Sequence, residues 1–327
     1  MTTTTAPVGT GAARASAAQD QPSLQQARRR GDAKVAWLFL LPYLVLFVTF
    51  VLAPIGYGLW ISLHEYDFTL PDKPFVGLDN YAGLVDGTSP FADPFWLSMR
   101  ATWLFTAISV PLLLVVPLAV ALMMNAKFRG RTVFRAIYFA PYVLGVAVIS
   151  VLWRYLLDSN IGLVNYYLDA VGLPGATPWL TEIPWAWASL IFVTVWWTLG
   201  FNAVIYLAAL QDISPELYEA ARVDGASAWQ RFLNVTLPGL RPVLLFVTSV
   251  TLIASVNMFG QAWLMTQGGP GTETRTAIYQ IADTGLTNFT SGAASAMSML
   301  FTISLLVVNA LVFLAFRERT PRQKVAR

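Results

Sequence analysis

The run WAWASLIFVTVWWTLGFNAVIYLAAL, residues 185–210, decides the fold. It holds no Asp, Glu, Lys, Arg or His. Coiled as an α-helix it reaches about 39 Å, more than the ~30 Å hydrocarbon core of a bilayer. Five more runs of the same kind flank it: Val35–Ser62, Ala101–Ala126, Ala136–Trp153, Val243–Thr266 and Ala293–Phe316, each uncharged inside. Composition agrees. Of the 327 residues, 56% are hydrophobic and 12% charged, where a soluble domain carries about 25% charged residues. Too little polar surface remains to wrap a water-soluble core. Spans of a β-barrel would alternate apolar and polar residues over ~10 positions, and these runs do not. The expectation is an all-α, polytopic membrane protein with six transmembrane helices.

Outside the spans, residues 1–34 are rich in Thr, Ala, Gln and Ser and read as a disordered N-terminal tail. The apolar run that follows is far longer than the ~7–15 residues of a secretory h-region, so it reads as an uncleaved first span. Residues 35–97 are then the first transmembrane helix and an outer loop. Residues 98–316 form the transmembrane core with a loop at 211–241, and residues 317–327 form a basic C-terminal tail. Arginine and lysine set the orientation. Arg14 and clusters at Arg28–Lys34, Lys127–Arg135, Arg222–Arg241 and Arg317–Arg327 share one side, leaving only Lys73, Arg100, Arg154 and Arg275 opposite. The positive-inside bias puts both termini in the cytoplasm of a multi-pass plasma-membrane protein. Trp96, Trp153, Trp179 and Trp185 stand where an aromatic belt belongs. The basic segment Lys127–Arg135 has two readings, a topology determinant or a partner contact, and topology is favoured.

Several functions are excluded or disfavoured. No cysteine is present and His64 is the single histidine, so disulfides, thiolate metal sites and multi-histidine centres drop out. His64 itself reads as a solvated interface residue. The isoelectric point near 9.2 reflects short basic clusters between apolar runs rather than a nucleic-acid-binding face. Neither a P-loop string nor HExxH nor GxSxG occurs, so no catalytic residue, metal ligand or nucleotide grip is expected in this chain. Ion-coupled carriers usually place ionisable groups at membrane depth. The six runs have none, which puts the energy source outside the bilayer and disfavours a secondary carrier, while the absence of a catalytic constellation disfavours a membrane-embedded enzyme.

Between the fourth and fifth runs lies QDISPELYEAARVDGASAWQRFLNVTLP, residues 211–238. Ser214 suits an N-cap, Pro215 the first helical position, and Glu216 the positive end of the helix dipole. Gly225 supplies a left-handed stop. Ser227 and Gln230 form a capping box for a second short helix, which Pro238 and Pro242 are expected to close before the fifth span. Leu217, Ala220, Ala221 and Asp224 share a helical face. Chemistry alone leaves that face open to bilayer-surface binding or to protein docking. Its small size and weak basicity tilt toward docking.

Glu219-Ala220-Ala221, Asp224-Gly225-Ala226 and Leu237-Pro238 resemble the EAA loop of bacterial ABC importer permeases. The strings Phe75–Tyr81, Phe128–Arg135, Tyr138–Pro141, Gly162–Asn165 and Gly268–Pro270 fall where carbohydrate-importer permeases carry similar ones. The resemblance runs from about Leu38 to Phe316, and is to the first of two unlike permeases in maltose- and glycerol-phosphate-type systems. It implies a type I importer permease fold and partners: a second permease, two copies of a cytoplasmic ATPase that hold ATP and Mg2+, and an extracytoplasmic solute-binding protein. It also implies that Glu219 sits at the ATPase contact, that Ala220 and Ala221 permit close approach, and that Gly225 sets the turn. No cofactor is expected on the chain itself.

For the cargo route, Thr198, Asn202 and Tyr206 lie four residues apart with Thr194 on one face of the fourth span. Asn257 and Gln261 do the same in the fifth. These uncharged groups, with Trp196, Trp197 and Phe259, would suit a neutral sugar. They would equally suit hydrogen bonding between packed spans. Asn257 and Gln261 are the strongest candidates for lining a path.

Overall fold

The computed structural model describes residues 37–126 and 129–316. The expected N- and C-terminal tails, and Lys127 with Phe128, lie outside those residues. The chain divides at Trp60/Ile61 into two compact units. The first contains nearly all of α1 (Trp37–Ser62), an apolar helix with a π turn at Val48–Leu52, just before Pro54.

Among the described residues the second unit is built of helices joined by turns and irregular loops, with one antiparallel bridge between His64 and Phe75. Its elements are α2 (Asp79–Asp86), α3 (Ala92–Asn125), α4 (Arg131–Val143), α5 (Val146–Leu156), α6 (Leu163–Ala170), α7 (Trp185–Asp212) and α8 (Pro215–Val223). Then follow α9 (Ala228–Val256), α10 (Ala277–Ala282) and α11 (Ser291–Phe316). The sequence expectation of an all-α chain with six apolar segments holds. Among the described residues, five helices are long and apolar enough to cross a bilayer, and the pair α4–α5 forms a sixth segment bent by 97°.

The third expected span is therefore not one straight rod. It breaks at Leu144–Gly145, where both residues are extended. The fifth is shifted: its helix starts at Ala228 rather than near Val243, and stops at Val256 rather than continuing to Thr266. Pro238 and Pro242 do not separate a short helix from the span. A π turn, Phe232–Thr236, precedes them, with the Leu237 amide donating to the Phe232 carbonyl five residues back. The wider turn relieves the clash that an α-turn would impose between the Pro238 ring and the carbonyl four residues earlier.

α3 and α7 pack along most of their lengths and form the centre, with α9 laid against both. Phe105, Leu190 and Met258 sit in one buried cluster; Met124, Tyr206 and Leu240 sit in a second, toward the α8 end. Gly200 lets α4 cross α7, since a Cβ there would run into the Tyr138 carbonyl. His64 departs from its sequence reading. It is 9% exposed, its ring edge-on to Phe75 at 5.3 Å, because the following segment folds back and Asn80 donates to the Ser62 and His64 carbonyls.

Candidate functional site

Two places emerge. The first is a cavity of about 580 Å³ in the middle of the second unit, lined from α3, α7, the α4–α5 break and the end of α9. The sequence creates it by interrupting helices. After Val256, Asn257 leaves helical geometry and helix resumes near Gly260, so residues 257–259 are unwound. Irregular backbone at membrane depth is tolerated only where other groups satisfy it or where it borders a cavity. Both apply. The Thr276 hydroxyl donates to the Met258 carbonyl at 2.7 Å, and Asn257, Phe259, Gly260 and Gln261 border the cavity. The Asn257 amide turns back to the Ile253 carbonyl at 2.7 Å.

On α7, Thr194, Thr198 and Asn202 line the opposite wall. Gln261 reaches Thr194 at 3.4 Å across the cavity edge. The Asn202 side-chain amide donates to the Leu113 carbonyl at 3.2 Å. That carbonyl is the one that residue 117 would bond in an unbroken α-helix, and residue 117 is proline, without an N–H. Asn202 thus repairs α3 while facing the cavity. The break in the third span is treated alike: Trp197 Nε1 donates to the Leu144 carbonyl at 2.9 Å. Tyr142 stacks on Phe201 at 4.8 Å and lies 6.2 Å from Trp197, so one wall is aromatic. Among the described residues, no Asp, Glu, Lys, Arg or His lines the cavity.

Of the five residues singled out for a path, Thr198, Asn202, Asn257 and Gln261 line this cavity. Tyr206 does not. It is fully buried in the cluster of Leu207 and Leu240, one turn too far toward α8. Asn257 and Gln261 meet at a break rather than along a continuous helical face. Trp196 also turns away, edge-on to Trp153 at 5.4 Å. Sequence reasoning missed Tyr142 and Phe201. The Pro141 before the break was the available signal.

The second place is the helix pair after α7. α8 begins at Pro215 with Ser214 at the N-cap, though the serine hydroxyl makes no cap hydrogen bond. Its C-terminus is a Schellman motif on Gly225 (φ +76°), with the Ala226 amide donating to Ala221 O and the Gly225 amide to Arg222 O. The expected capping box is formed: Ser227 N donates to Gln230 Oε1 at 2.7 Å, and Gln230 N to Ser227 Oγ at 3.3 Å. Glu216, Glu219, Ala220, Asp224, Gly225 and Pro238 are exposed, while Ala221 and Leu237 are half-buried. The open face of α8 is therefore Glu216, Glu219 and Ala220 with Leu217 and Val223, the last 87% exposed. Ala221 faces inward. On the loops at the far end, Asp158 accepts the Asn160 and Ile161 amides, which hold its carboxyl below the ordinary aspartate range.

Two helices join the two places. α9 runs 29 residues, about 43 Å at 1.5 Å per residue, from the capping box to the cavity wall. α7 does the same from the cavity to Ile213, immediately before α8.

Residues 96–323 match the family model described as binding-protein-dependent transport system inner membrane component. The trehalose/maltose transport system permease protein MalF of Thermococcus litoralis is 34% identical over 284 residues, covering 85% of this chain and 94% of that protein. The lactose transport system permease protein LacF of Rhizobium radiobacter is 33% identical over 291 residues, covering 86% and 94%. Among solved structures, a chain of a bacterial ABC transporter that imports the acidic polysaccharide alginate superposes with a TM-score of 0.76 at 26% identity. The match covers 90% of this chain and 99% of that one.

Proposed function

The chain belongs to the family of inner membrane components of binding-protein-dependent transport systems, and from that membership we propose that it carries an uncharged carbohydrate through the cavity at the break in α9. It is a permease of the ABC importer type. The observation that supports the cargo is the lining. Amide and hydroxyl groups of Asn202, Thr198, Asn257 and Gln261 stand beside the rings of Tyr142, Trp197 and Phe201, with no ionised side chain among them. A sugar offers hydroxyls for the first set and apolar ring faces for the second. A carboxylate or phosphate would find no cation to offset its desolvation.

The energy enters at α8. ATP and Mg2+ are held by a separate cytoplasmic ATPase, two copies of which contact this chain and a second permease. A binding protein delivers the sugar from the outer face. The basic clusters put α8 and both termini on the cytoplasmic side. Closure of the ATPases on ATP pushes the exposed face of Glu219 and Ala220. α7 and α9 lead from that face to the two walls of the cavity, so their rotation alternates its opening between the two sides. ATP biases the two states and the sugar is not altered.

The test is uptake into proteoliposomes holding the four-subunit complex and supplied with binding protein. Maltose and lactose are offered beside a uronic-acid disaccharide. Uptake of a neutral sugar that requires internal or external ATP on the ATPase side supports the reading. Uptake driven by an ion gradient without ATP would return the chain to the secondary-carrier reading, and preference for the uronic acid would overturn the cargo.

A further inference from the structure

α8 is joined to α9 in two ways. The covalent way is the turn at Asp224–Ser227, which pivots on left-handed Gly225. The other way is a hydrogen bond. The Tyr218 hydroxyl on α8 and the Thr236 hydroxyl in the π turn of α9 are 2.9 Å apart. Thr236 is 4% exposed, and Tyr218 is half-buried between the exposed Leu217 and Glu219. A second contact closes the same corner. Gly239 lies so near Ile213, at the junction of α7 and α8, that a Cβ would stand 2.9 Å from the isoleucine Cδ1. The corner where α7 ends, α8 lies and α9 begins is therefore braced at two points outside the chain path.

The brace is placed where the rod is weakest. A π turn bonds each amide five residues back and marks sites where a helix changes register or bends. Force applied to α8 through the Gly225 turn alone would be dissipated by that turn and then by the π turn. We propose that the Tyr218–Thr236 hydrogen bond is a strut that makes α8 and the base of α9 move as one body, so that displacement of α8 reaches the cavity end of α9. Tyr218 and Thr236 are positioning residues for transport, and neither touches cargo or nucleotide. The inference rests on the reading of α8 as the ATPase contact.

The experiment compares ATP hydrolysed per sugar imported in the assembled complex in proteoliposomes, for the unmodified chain, Tyr218→Phe, Thr236→Val, Thr236→Ser and the double variant Tyr218→Phe/Thr236→Val. The expected result is a ratio raised about fivefold in Tyr218→Phe and Thr236→Val, the factor carried by one net neutral hydrogen bond. Hydrolysis itself stays within about twofold, since the bond lies between α8 and α9 and not at the nucleotide. Thr236→Ser, which keeps the hydroxyl, retains the original ratio, and the double variant is no worse than either single one. An unchanged ratio in the two single variants would overturn the strut. So would a parallel fall of hydrolysis and uptake, or a multiplicative double variant, since these mark loss of structure alone. An unmodified complex that assembles and imports without an ATPase would overturn the underlying reading instead, before any variant is compared.

Discussion

The pairing of Asn202 with Pro117 yields the sharpest physical prediction. Asn202→Leu keeps most of the side-chain volume and removes the donor that satisfies the Leu113 carbonyl at 3.2 Å. Asn202 is 6% exposed and Leu113 3%, so a leucine at 202 that fills the same space keeps most water from the carbonyl. An unsatisfied buried carbonyl costs about 1–3 kcal/mol, while hydrogen bonds between packed spans average ~0.6 and reach at most ~1.7. The two ranges overlap near 1 kcal/mol, about a fivefold change in a folding equilibrium. In a Pro117→Ala background the regained amide of residue 117 can bond Leu113 within α3, and Asn202→Leu should then cost close to nothing. The assay is a double-mutant cycle on unfolding in mixed detergent micelles, with a coupling energy near 1 kcal/mol expected. Equal costs of Asn202→Leu in both backgrounds would refute the repair argument, and leave Asn202 as a cavity residue only.

Four other outcomes are expected. Asn257→Ala and Gln261→Ala should each raise the KM for a neutral sugar about fivefold, one net hydrogen bond apiece, with uptake in proteoliposomes as the readout. Tyr206→Phe should leave that KM unchanged, because Tyr206 lies outside the cavity. Glu219→Lys, on the open face of α8, should lower ATP-driven uptake to background while leaving thermal unfolding of the chain within about 0.5 kcal/mol, as an exposed substitution does. Gly225→Val forces a β-branched side chain into φ +76°, which costs at least about 1–2 kcal/mol. Co-purification of the ATPase with this variant should fall, as mass spectrometry of the detergent-extracted complex would register.

Legibility differed by element. The turn between α8 and α9 was readable in detail, because caps and stops are local: Pro215, Gly225, Ser227 and Gln230 each act on backbone within five residues of themselves, whereas the continuation of the helix past Pro238 and Pro242 was not. Ser214 was the exception. It occupies the cap without making the bond, an orientation that only neighbouring contacts decide. The spans were readable as apolar lengths, yet two of six were misjudged in shape. Hydropathy reports whether a residue tolerates lipid and is blind to where a helix bends. For the same reason the four-residue spacing of Thr198, Asn202 and Tyr206 identified a face without revealing that the cavity ends between Asn202 and Tyr206.

What the sequence determined by itself was therefore the class of molecule, the number of apolar segments, the capped turn between the fourth and fifth of them and the uncharged character of the interior. All of these follow from side-chain chemistry and from interactions within one turn of helix. Only the tertiary structure decided where helices break, which polar groups repair them and which border a cavity. Pro117 leaves a carbonyl without a donor 89 residues from the asparagine that supplies it. Leu144 finds its donor in Trp197, 53 residues away. Such partners are chosen by how α3, α4 and α7 cross, and a hydrogen bond between crossing helices leaves no period in the chain.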